Sequence, residues 1–68
     1  MYNFYVNTAA QTNGDHEVHQ DGCRFMPTLL NRRHLGVFSS CYGAVQEARK
    51  IYSRANGCYF CALSCHTS

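Results

Sequence analysis

Two short pairs of soft-donor residues stand out in the chain: His19-x3-Cys23, and far from it Cys58-x2-Cys61. A C-x2-C turn lets two thiolates converge on one ion while backbone amides point at the sulfurs. A second pair from a distant segment then completes the four-coordinate tetrahedral shell that structural Zn2+ prefers. Gly22 precedes Cys23 and Gly57 precedes Cys58, as expected where backbone turns tightly around a metal. One structural zinc held by His19, Cys23, Cys58 and Cys61 is therefore expected. Cys65 and His66 are alternate donors, since they could join Cys58, Cys61 and Cys23 in a shell without His19. The H-x3-C spacing and the fraying of chain ends favour His19.

A shell of three cysteines and one histidine is closed. It leaves no position for the water that a catalytic zinc activates, so no enzymatic activity is expected. His16-Glu17-Val18-His19 superficially resembles a metalloprotease pair. Such sites need histidines four apart on a helix, whereas these are three apart in what reads as a strand. Cysteine chemistry is the alternative: a metal-activated thiolate accepting an alkyl group, or a redox pair of Cys61 and Cys65. Cys41 reads as a small packing residue; an exposed thiol at a helix start would have its pKa lowered.

Several elements must position these donors. Tyr2, Phe4 and Val6 alternate with Asn3, Tyr5 and Asn7, predicting a strand over about residues 2–9. Asn13-Gly14-Asp15 carries turn chemistry, and a return strand through Glu17-Val18-His19 closes a hairpin that ends on the imidazole. Pro27 and Asn31-Arg32-Arg33 read as a loop before a third strand over residues 34–38. Ser39 and Ser40 are N-cap residues for a helix starting near Cys41, with Ala44, Val45, Ala48, Ile51 and Tyr52 as its apolar stripe. Asn56-Gly57 supplies the left-handed residues that end the helix. The expected fold is α+β: a small antiparallel hairpin or three-strand sheet plus one helix, zinc-stapled in the manner of a treble clef or zinc ribbon.

The run His19-Gln-Asp-Gly-Cys23-Arg-Phe-Met-Pro, the strand ending in Phe38-Ser39-Ser40, an Ala-bearing helix and Gly57-Cys58-x-x-Cys61 together resemble the small zinc modules appended to bacterial nucleases. More distantly they resemble the metal-binding amino-terminal domain of the Ada alkylation-repair protein. The resemblance covers about residues 17–61 and implies His19, Cys23, Cys58 and Cys61 as ligands. The whole chain is also similar to a family of short bacterial proteins, which implies no activity.

At 68 residues the chain fits one domain, residues 1–68. A domain this size buries only about 60% of its unfolded surface, so a metal, disulfides or a partner must supplement the core. With 46% hydrophobic residues it is too apolar for a disordered segment. The amino terminus lacks the basic-then-apolar pattern of a signal peptide, and no run approaches the ~20 apolar residues of a membrane span. A cytoplasmic protein with all five cysteines as thiols is the expectation; a metal-free, disulfide-stabilised structural protein is the competing one. The formal charge of +2 is too slight to demand a polyanionic partner. Nucleic acid nonetheless heads the candidate partners, through Arg24, Arg32 and Arg33 with Tyr2, Tyr5, Tyr42 and Phe25 as stacking residues; a protein partner is the other, and no membrane is expected.

Overall fold

A computed structural model describes residues 1–67; Ser68, the last residue of the expected domain, lies outside the described residues. The alternation at the amino terminus forms β1 (Tyr2–Asn7), and the return strand is β2 (His16–Gln20). They pair antiparallel with Tyr5 opposite His19 and Val6 opposite Val18. The connecting turn uses the expected chemistry. Gly14 adopts φ 91°, and Asn13 Oδ1 accepts the Asp15 amide at 2.9 Å, a side-chain mimic of a backbone turn.

β3 (Arg32–Phe38) pairs antiparallel with the other edge of β1. It begins two residues earlier than the apolar pattern suggested, so Arg32 and Arg33 are strand residues rather than loop residues. They pair with Asn7 and Val6 respectively and so point to opposite faces. The register shifts between Phe4 and Tyr5, where Gly36 takes φ 129°, a conformation glycine adopts without steric cost.

The helix α1 (Cys41–Arg49) starts where expected and buries Cys41, Ala44, Val45 and Ala48. Phe4, Val6 and Val18 form the opposing side of that core. Ser40 occupies the N-cap with extended backbone, but its side chain makes no capping hydrogen bond. The helix also stops before Ile51 and Tyr52. Tyr52 instead stacks on His16 with ring centroids 3.8 Å apart.

The principal departure lies at Asn56-Gly57. These residues do not cap the helix; they belong to β4 (Ala55–Gly57), which pairs parallel with β2. The result is one helix on a four-stranded mixed sheet of order β3-β1-β2-β4, a small α+β fold with one strand more than the three expected. Buried Asp15 docks the added strand: it accepts from Asn56 Nδ2 at 2.8 Å and from Arg54 Nε at 3.1 Å. Gly57 has no left-handed φ. Its role is close approach, since an added Cβ would lie 2.5 Å from the Ala62 carbonyl oxygen and 2.7 Å from Cys65 Cβ.

A disulfide joins Cys41 at the start of α1 to Cys65 in the carboxyl-terminal turn, with Cα atoms 6.3 Å apart. Cys41 is buried, as a packing residue would be, but it is bonded, so the chain does not carry five thiols. Closing a loop with a sequence separation of 24 contributes about 3.5 kcal/mol on the chain-entropy model. The supplement a core of this size requires is thus in part covalent.

Two measurements test these features. Gly57→Ala should lower stability by about 1–3 kcal/mol through overpacking, read as a lower urea midpoint; an unchanged midpoint would show that the 62–65 turn moves aside freely. Thiol counting on denatured, metal-stripped, unreduced protein should find the three free cysteines, Cys23, Cys58 and Cys61, and a count of five would remove the disulfide.

Candidate metal centre

The parallel pairing of β4 with β2 is what assembles the site. Val18 lies opposite Gly57, and the Cys58 amide donates to the Val18 carbonyl at 2.9 Å. Cys58 therefore emerges beside the next residue of β2, which is His19. Chain reversal after β2 then returns Cys23: Gly22 adopts φ 89° and the Cys23 amide donates to the Gln20 carbonyl at 3.1 Å. A tight turn after Cys58, closed by the Ala62 amide on the Cys58 carbonyl at 2.9 Å, brings in Cys61.

These four residues, His19, Cys23, Cys58 and Cys61, place their donor atoms within 4.8 Å of one another. His19 Nδ1 stands 3.8 Å from Cys61 Sγ, and Cys23 Sγ stands 4.0 Å from Cys58 Sγ. Tetrahedral bonding at Zn–S of about 2.3 Å and Zn–N of about 2.0–2.1 Å requires donor separations of roughly 3.6–3.8 Å. The two closest contacts approach that spacing, and the cluster could hold a metal ion. His19 and Cys58 are each 1% exposed, whereas Cys23 and Cys61 are half-buried.

Surrounding groups orient the donors. With Nδ1 toward the sulfurs, His19 turns Nε2 toward Glu17 Oε1 at 3.6 Å. Glu17 and His19 share a face because they are two apart on one strand. No hydrogen bond joins them at that distance, and Nε2 is buried without a hydrogen-bond partner; the carboxylate's charge still favours the proton on Nε2 and leaves the Nδ1 lone pair for a metal. The Gln20 amide donates to Cys61 Sγ at 3.3 Å. The amides of Phe60 and Cys61 point at Cys58 Sγ, as a metal-binding turn of this spacing requires.

Electrostatics favour neutral donors until a cation arrives. Burial lowers the His19 pKa against the opposing influence of Glu17, so the imidazole is unprotonated near neutrality. Burial raises the Cys58 thiol, outweighing the amides that would stabilise its thiolate. Cys61 is pushed well above the usual thiol range, first by burial and then by its thiol neighbour Cys23. A divalent cation reverses this preference, because a coordinating thiol is deprotonated outright.

The alternate donors stand elsewhere. Cys65 is bonded to Cys41, and His66 Nδ1 lies 3.0 Å from the Gly57 carbonyl. With Cys65 so engaged, the Cys61–Cys65 redox pair does not form. The competing expectation of a metal-free disulfide protein anticipated a bridge, but three cysteines remain free. His16 is turned away by its stacking on Tyr52 and its Nδ1 contact with the Asn7 carbonyl at 2.9 Å. Of the four proposed stacking residues, Tyr5 lies against Arg32 and His34, Phe25 stacks on Phe60, Tyr42 donates to the Ser64 carbonyl, and Tyr2 lines a pocket with Phe60 and Ser64. Sequence reasoning missed Glu17 as the group behind His19, although its i−2 position on a strand was available to find it.

Because Cys58 and Cys61 hold their protons near neutrality, metal binding releases at least these two. Zinc affinity should therefore rise by at least about two log units per pH unit on the acid side of the thiol pKa values. A competitive-chelator titration across neutral pH measures this slope, and a slope below one would mean that the thiols are not ligands. No protein-family model, curated protein or solved structure matches this chain.

Proposed function

We propose that the chain is a small interaction module whose fold is stapled by one structural zinc on His19, Cys23, Cys58 and Cys61. The observation that carries this reading is the convergence of four soft donors from separate segments within 4.8 Å. Three thiolates and an imidazole suit zinc among the common divalent ions, and four protein donors leave no place for a reacting water. The zinc would join the β2 end of the hairpin to the segment after β4. Stability is then the role of the metal, and recognition falls to the surface around it.

The remaining features agree with a binding role. A cluster of large apolar side chains is exposed, among them Phe25, Tyr59, Phe60 and Leu63, and exposed apolar groups grouped together mark interaction sites. No helix among the described residues is long and apolar enough to cross a membrane. The cytoplasmic expectation, drawn from the amino-terminal pattern, implied five thiols. The Cys41–Cys65 pair favours an oxidising compartment, since such bridges are rare in a reducing one.

Elemental analysis of protein purified without added metal should give one zinc per chain. Chelation should then abolish the cooperative unfolding transition followed by circular dichroism, since structural-site binding energy is folding energy. Cys61→Ser should behave like the chelated protein. Cys41→Ser should lose only the loop-closure contribution and keep its zinc. A metal-free protein with an unaltered transition would end the proposal.

A further inference from the structure

The residues beside the ligands form a second constellation. Arg24 and Phe25 directly follow Cys23, and Tyr59 and Phe60 lie between Cys58 and Cys61. The two segments meet: Phe25 and Phe60 stack with centroids 4.3 Å apart at an interplanar angle of 28°, and Tyr59 packs edge-on to Phe60 at 5.2 Å. Phe25, Tyr59 and Phe60 are 47%, 54% and 66% exposed. Cys23, Arg24, Phe60 and Cys61 line one shallow cleft. Three aromatic rings kept in water and fixed in orientation by a buried site are poorly explained by folding, since they add little to the core.

Charge distinguishes the occupant. Lys50 pairs with Glu47, Arg54 pairs with Asp15, and Arg49 donates to the Ala55 carbonyl. Among the described residues Arg24, Arg32 and Arg33 have no carboxylate within ion-pair distance, and Arg24 is exposed at the aromatic cleft. Rigid rings beside an uncompensated guanidinium match a ligand with alternating π-faces and phosphates.

We propose that the two ligand-bearing turns assemble a stacking site for single-stranded nucleic acid, in which Phe60 and Phe25 receive bases and Arg24 contacts the adjoining phosphate. This inference rests on the reading of the chain as a zinc-stapled module. The metal joins the two turns, and the turns carry the two halves of the aromatic pair.

The test uses the metal-loaded full chain and a fluorescently labelled oligothymidylate of about 12 nucleotides, followed by anisotropy over a range of salt. Phe60→Leu keeps apolar bulk but removes the π-face, and should weaken binding at least about fivefold; Phe60→Tyr should retain it. Arg24→Gln should lower the slope of log affinity against log salt by about 0.7, while Lys50→Ala on the helix should leave it unchanged. A duplex of the same length should bind more weakly, its bases being already stacked. Zinc content and circular dichroism are recorded on every sample. A folded, zinc-loaded protein that ignores the oligonucleotide, tolerates Phe60→Leu, prefers duplex, or responds equally to Arg24→Gln and Lys50→Ala overturns the stacking site and leaves the patch to a protein partner. Absence of zinc with stacking intact would instead overturn the metal reading alone.

Discussion

Three residues of parallel pairing between β4 and β2 set the rest of the structure. They are short, built from Ala55, Asn56 and Gly57, and held by the buried carboxylate of Asp15. Without them Cys58 has no reason to stand beside His19, because 38 intervening residues separate the two positions and loop closure alone does not choose a register. With them, the hydrogen bond from the Cys58 amide to the Val18 carbonyl places the thiol next to the imidazole. The closeness of these two donors follows from ordinary sheet geometry.

The carboxyl-terminal segment is secured twice, by different chemistry. Residues 58–61 face the hairpin through the metal donors, while Cys65 is tied covalently to the start of α1. Just before these attachments Gly57 lets the chain fold back close against Ala62 and Cys65. A short chain with a core of small residues, Ala44, Ala48, Ala55 and Ala62 among them, gains little from each burial. The disulfide compensates for part of what that core cannot supply, and a metal on the four donors would add a second cross-link.

Much of this could be read from the sequence where one residue's chemistry suffices. Alternation at residues 2–7, the Asn13-Gly14-Asp15 turn, the start of α1 and the two donor pairs each carry a local signal, and each has its counterpart in the fold. β4 could not be read that way. Ala, Asn and Gly are poor strand formers, and Asn-Gly after a helix is indistinguishable from a cap; only its long-range partners Asp15 and Val18 make it a strand. The Cys41–Cys65 bridge was hidden for the same reason, since a thiol's partner is fixed by tertiary proximity and an odd cysteine count left the pairing open. Arg32 and Arg33 read as loop because charge is common there, yet an edge strand is also where charged residues are placed to discourage pairing with other chains.

The unequal burial of the four donors gives the cluster an accessible side. His19 and Cys58 form the floor of the cluster, each 1% exposed, while Cys23 and Cys61 border the open cleft with Arg24 and Phe60. An ion bound there would be approached from the side of Cys23 and Cys61, the more exposed of the four donors. A molecule seated over the cleft would cover the more exposed half of the donor set.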